Sequence, residues 1–304
     1  MSIMRNKEYD SFGPWIYEIS EDCPIPDQFL KYSVRTEKPL FSIKIPRQIE
    51  RRKARPGMPL YDYVVSMYKT DILILKREGD KIITTSYLYE KIECLQNQVN
   101  LLKGNLLMVM SDIVYNLPYN TVSENIILRM LEIIRQRYTA GTQCTIPNNS
   151  IIDTSKLLLS FYFEGLVTEE KIQNPEFKIL SYQRESSVSL YEKRFCRKLQ
   201  HRLFGKTLLE SLHLSDGREL IIISRGMPFK RRNQAVYGKE TYYVPINKIT
   251  DMVWEEDQWN SAISNMTITT SNNSYKISFL RENSSISTYA NFLKKVIGSD
   301  SYSI

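Results

Sequence analysis

Two five-residue stretches decide how this chain is read: Leu88-Tyr89-Glu90-Lys91-Ile92 and Pro245-Ile246-Asn247-Lys248-Ile249, roughly half a chain apart. Their surroundings match in order. Ile72-Leu73-Ile74-Leu75 precedes the first, and Leu220-Ile221-Ile222-Ile223 precedes the second. Residues 105–110 (Asn-Leu-Leu-Met-Val-Met) follow the first, and residues 265–270 (Asn-Met-Thr-Ile-Thr-Thr) the second. Leu128, Leu131 and Ile134 then line up with Ala290, Leu293 and Val296, at the spacing of one helix face. Short apolar and β-branched runs bounded by turn signals are strands. Each copy therefore reads as a series of strands followed by one amphipathic helix. The second copy is longer between Ile223 and its Lys-Ile stretch. That extra length falls in a polar hairpin loop, residues 225–240, where insertion costs little closure entropy.

Working outward, the repeat divides the chain. Residues 1–60 hold more than half of the 12 prolines and read as an extended arm. Within it, Phe41-Ser42-Ile43-Lys44-Ile45 alternates as a strand does. Residues 61–138 form the first β-rich domain. Its helix is expected to start at a capping box, Thr121-x-x-Glu124, in which the two side chains satisfy free amides. Residues 139–206 form a helical connector, with helices over 154–164 and 188–203. Residues 207–298 form the second domain, and 299–304 a tail.

The text around the repeat, Tyr89-Glu90-Lys91-Ile92 with Leu101-Leu102-Lys103-Gly104-x-Leu106 and Tyr243-Val244-Pro245-Ile246-Asn247-Lys248-Ile249, resembles the bacterial pleckstrin-homology-like domain. The resemblance implies an α+β fold of two partly open antiparallel β-barrels, each closed by its C-terminal helix. Independently, an open sheet needs its apolar face covered, and the helix stripe in each copy supplies the cover.

The composition favours binding over catalysis. Only two histidines occur, His201 and His213, and the four cysteines, Cys23, Cys94, Cys144 and Cys196, are widely scattered. Metal knuckles and catalytic constellations need closer grouping. Glycine is scarce at 11, and no phosphate-cradling Gly-rich motif is present. The expectation is a non-catalytic binding or scaffolding protein with no cofactor and no metal. Its first residues lack the apolar core of a signal peptide, and no apolar stretch reaches the ~20 residues of a membrane span, so a cytoplasmic location is expected.

The formal net charge of +7 favours anionic partners without naming one. Three readings follow. A protein partner comes first, because open barrels present a free sheet edge and loops. An anionic membrane comes second. The resemblance implies that the loop carrying Phe229, Lys230, Arg231 and Arg232 would hold the charges at the first hairpin of the second copy. Nucleic acid comes third; the basic face Lys193, Arg194, Arg197, Lys198 and Arg202 of the connector helix suits anionic lipid and nucleic acid alike. Against each basic patch stands the plain alternative of a solvated surface.

Overall fold

The computed structural model describes residues 9, 12–111, 113–152, 157–188, 206–231, 234–257 and 260–298. The fold is α+β. Its sheets are antiparallel, and none closes on itself among the described residues. The chain divides into two compact units. Unit 1 comprises residues 1–92, 101–110 and 114–140, and unit 2 comprises 93–100, 111–113 and 141–304.

Unit 1 opens with β1 (Tyr17–Glu18), β2 (Phe41–Pro46), β3 (Tyr61–Met67), β4 (Asp71–Glu78) and β5 (Lys81–Leu88), hydrogen-bonded in that order. The alternation over residues 41–45 does produce a strand, but all six residues of β2 are buried. Ile43, Val65 and Ile74 lie opposite one another on one face, and Lys44, Val64 and Leu75 on the other. The second face is covered by the proline-rich N-terminal stretch: Phe12, Phe29, Ala54 and Leu60 pack against Val64, Leu73 and Leu75. Prolines suit this layer because a segment lying over a sheet needs no ladder N–H. Within the layer, the short helix α1 (Asp27–Leu30) contributes Phe29. The buried Lys44 ammonium donates to the Pro24 carbonyl at 2.9 Å and lies 4.8 Å from the Tyr61 ring centre.

A 3-10 turn, Tyr89–Lys91, ends this sheet and leads into β6 (Ile92–Asn100), which lies almost wholly in unit 2. The hairpin of β7 (Lys103–Met110) and β8 (Val114–Asn120) returns to unit 1. Gly104 faces Tyr119 across it, and a Cβ there would stand 2.2 Å from the Tyr119 ring, so any larger residue would have to displace that ring. Helix α2 (Glu124–Tyr138) follows, burying Ile127, Met130, Leu131 and Ile134. Its Arg129 stacks on the Phe41 ring at 4.4 Å and pairs with Glu18 at 2.8 Å.

The expected capping box does not form. Thr121 instead opens a 3-10 turn, and its hydroxyl donates to the Leu101 carbonyl at 2.9 Å. Asn120 supplies the cap, accepting from the Val122 N–H at 3.0 Å. Asn caps as well as Thr does, and here it stands one residue earlier. Ser123, at the start of α2, is engaged elsewhere, its hydroxyl accepting the Ile16 N–H at 3.1 Å.

In unit 2, helix α3 (Phe161–Gln173) precedes β9 (Lys178–Gln183), β10 (Ser186–Val188), β11 (Lys206–Leu208), β12 (Ser211–Ser215), β13 (Glu219–Ser224), β14 (Phe229–Arg231) and β15 (Gly238–Pro245). A second 3-10 turn, Ile246–Lys248, leads to β16 (Asp251–Asp257), β17 (Asn260–Thr269), β18 (Ser274–Leu280) and helix α4 (Ser285–Ile297). One sheet runs β6-β15-β13-β12-β9, a second β16-β17-β18, and a small third β10-β11-β14. Helix α4 buries Tyr289, Ala290, Phe292 and Leu293.

Two connector expectations need correction. The helix read over 154–164 begins only at Phe161 and continues to Gln173. The run Leu157-Leu158-Leu159 has no helical period of its own, and Ser160 takes the N-cap position. The basic helix does not start at Val188 as its apolar spacing predicts, because Val188 ends strand β10. The rest of that helix, with Lys193, Arg194, Arg197, Lys198 and Arg202, lies outside the described residues.

Candidate functional site

Unit 2 has a polar inner sheet face. Cross-strand register places Ser211, Ser224 and Glu240 in one row, with Gln98 of β6 opposite Glu240. The next row holds His213, Ile222, Tyr242 and Gln96. Along β12 polar and aliphatic residues alternate, Ser211-Leu212-His213-Leu214, a pattern that in sequence reads as one solvated face. Here the face is only partly shielded: Ser211 and His213 are buried, whereas Ser224, Glu240, Tyr242, Gln96 and Gln98 are half-buried.

A cavity of about 160 Å³ opens on this face, walled by Ser211, Ser224, Glu240 and Tyr242 from the sheet, Glu210 beside them, and Lys276 of β18. The Glu210 carboxylate accepts the Tyr182 hydroxyl at 2.7 Å. Burial first, and then this bond, push the Tyr182 phenol up to about 12, so it stays a donor. The Glu240 carboxylate accepts amide N–H groups from Gln98 at 2.7 Å and from Gln96. Tyr242, pushed upward by burial and by the neighbouring Glu240, stacks edge-on against Tyr275 with centroids 5.3 Å apart. Neither carboxylate has an ion-pair partner among the described residues, and the Ser211 hydroxyl, in a residue 5% exposed, has no hydrogen-bond partner. The sequence reading missed this group, because its members come from four strands whose pairing no local pattern reveals.

Deeper in, His213 is fully buried, with Nδ1 2.9 Å from the Tyr289 hydroxyl and its ring against Phe279. Burial pulls it down to about 3, which keeps the imidazole neutral. Glu93 is also buried. Its carboxylate accepts from the Thr270 hydroxyl at 2.9 Å, the Asn272 backbone N–H at 3.3 Å and the Asn272 side-chain amide at 3.1 Å, clamping the turn between β17 and β18. Next to it, burial pushes the Cys94 thiol up to about 12, the state of a packing group and not of a nucleophile. Among the described residues no His, Cys, Asp and Glu group of three or more is arranged to hold a metal.

The predicted basic loop joins β13 to β15, the third and fourth strands of the run β9, β12, β13, β15, and not the first two. Lys230 is engaged with Glu185 at 2.6 Å. Phe229 packs against a cluster of Val188, Leu208 and Ile263. Phe229 to Arg231 pair as β14 with β11, and Arg231 is exposed. Arg232 lies outside the described residues.

In unit 1, β5 is an edge strand, paired with β4 on one side only. It is long, rich in Ile, Thr and Tyr, and largely exposed along its length. Its counterpart by element order is β15, the strand that precedes the second 3-10 turn. That strand is paired on both sides, by β13 and by β6. No helix is long and apolar enough to cross a membrane among the described residues. No protein-family model matches the chain, and no curated protein resembles it to a significant degree.

Proposed function

We propose that this chain is a non-catalytic binding protein built from two pleckstrin-homology-like halves, and that it recognises a protein partner by taking an extended strand onto the edge of β5. The two-half reading is supported by element order. Four antiparallel strands, a 3-10 turn at the Lys-Ile stretch, three more strands and a helix occur twice: β2 to β5 with β6 to β8 and α2, then β9, β12, β13 and β15 with β16 to β18 and α4.

The observation that carries the partner reading is the contrast between equivalent strands. In unit 2 the edge of β15 takes β6 over six register pairs, from Gly238 with Asn100 to Tyr243 with Leu95. In unit 1 the edge of β5 takes no strand among the described residues. Proteins blunt free edges with charge, proline or short length. β5 has eight residues, no proline, and a single charge at its first position, Lys81. An unblunted edge of this kind is suited to strand addition, in which main-chain hydrogen bonds supply affinity.

The test is Thr84→Pro in the full chain. Counting from the two-residue turn Gly79-Asp80, Thr84 falls at a non-hydrogen-bonded pair with Leu75, so its N–H points away from β4. Proline there removes an outward donor and spares the β4 ladder. The expected result is a native-host partner captured by wild type and lost from Thr84→Pro, with melting temperatures within a few degrees. A partner retained equally by both rules out the β5 edge.

A further inference from the structure

The cavity of unit 2 invites a ligand of its own, and this inference goes beyond strand addition and does not rest on it. We infer that the cavity is a recognition site for a protonated primary amine on a short aliphatic stem.

The argument starts from charge. Glu210 and Glu240 face the cavity, and among the described residues Lys276 is the only basic one in its wall. The formal charge of the lining is therefore −1, which one further cation would neutralise. Both carboxylates hold only neutral donors, a phenol and two amides, and a carboxylate keeps accepting capacity beyond these bonds. Both carboxylates are half-buried, so they are partly withdrawn from water, and a bound cation offsets the cost of that withdrawal.

The second observation is independent of the acids. The Ser211 hydroxyl is buried and unpartnered. Its register row, Ser211-Ser224-Glu240, lies wholly in the cavity wall, so the side chain points into it. A buried hydroxyl without a partner is rare in native proteins, and one aimed into a cavity marks a place for a ligand atom. An ammonium has three N–H donors, enough to reach Ser211 and a carboxylate together.

Size and apolar lining select the rest of the ligand. At about 160 Å³ the cavity is below the usual range for drug-sized molecules and fits a single side-chain-like group. Ile222, Met227 and Leu209 supply apolar wall for a methylene stem. The same chemistry occurs in a lysine side chain and in a free polyamine.

The experiment is a titration of the full chain followed by amide resonances, with n-butylammonium, 1-butanol and butyrate as probes. Saturable shifts at Ser211, Tyr242 and Ser278 with butylammonium alone are expected. Glu240→Gln and Glu210→Gln should each weaken binding about tenfold, the worth of one charge-assisted hydrogen bond. Lys276→Gln, at an exposed position, should tighten it several-fold by removing like charge. Lys276→Gln keeps the test open if a Glu variant folds poorly. Tighter binding of Gly-Lys-Gly than of butylammonium assigns the site to a peptide lysine; tighter binding of spermidine assigns it to a free polyamine. Absence of saturable shifts, equal response to 1-butanol, or indifference to all three substitutions overturns the inference.

Discussion

At the scale of the residue, His213 and Glu93 show how much a buried polar group depends on its surroundings. His213 sits among Tyr289 and Phe279, and burial holds it near 3 against an ordinary 6.5. The folded state then binds fewer protons than the unfolded state between those values. Stability is complete above pH 6.5 and falls as pH drops toward 3. Urea unfolding at pH 7 and pH 5 is expected to differ by about 2 kcal/mol from this residue alone. His213→Gln, which can still bond Tyr289, should lack that component, and an unchanged pH slope would contradict the neutral-imidazole assignment. The sequence shows His213 only as one of two isolated histidines. It has no means to place Glu93, because the donors to that carboxylate come from a turn almost two hundred positions away in the chain.

At the scale of the element, that carboxylate acts on a whole hairpin. Glu93 on β6 accepts four bonds from the turn after β17, so truncating it removes the acceptor of the buried Thr270 hydroxyl and of three N–H groups of Asn272 and Asn273. Glu93→Ala is expected to cost about 2–3 kcal/mol, and Glu93→Gln less, since one oxygen acceptor remains. Thermal unfolding checks the order, wild type above Glu93→Gln above Glu93→Ala; equal melting temperatures would remove the clamp. The strands themselves were largely legible, because Ile72–Leu75 and Leu220–Ile223 are β-rich runs between turns, and they fall on β4 and β13. The helix starts were less so. Thr121-x-x-Glu124 satisfies a capping pattern, yet Asn120 caps first, and a pattern cannot rank two competing side chains.

At the scale of the whole molecule, the decisive feature is that β6 leaves its own segment of the chain to pair with β15. A fragment spanning 141–304 lacks β6. It loses six register pairs on β15 together with the acceptor for Thr270 and Asn272. Such a fragment is expected to melt lower than the full chain and to self-associate through the opened edge. A synthetic peptide of residues 92–100 should raise its melting temperature in a concentration-dependent way, as any ligand of the native state does. A peptide with no effect would mean that β15 does not depend on β6. The same experiment tests strand addition in principle, since β5 offers in unit 1 the kind of edge that the fragment would offer at β15.

By itself, the amino-acid sequence determined the strand-then-helix order, its recurrence, and the apolar stripes of α2 and α4, because these are local periodicities dictated by backbone geometry. The exclusion of recognisable catalytic and metal motifs was equally local. Only the tertiary structure decided which polar residues turn inward. Ser211 and His213 alternate with Leu212 and Leu214, as surface residues do, and nothing in that alternation says that both are buried. It also decided that Lys230 is tied to Glu185 and Phe229 to Leu208, so that a loop basic in sequence has part of its charge and its apolar tip already engaged. Pairing across long separations sums many weak contacts between distant segments. No single stretch of sequence carries that sum, and it is what joins four strands into one cavity.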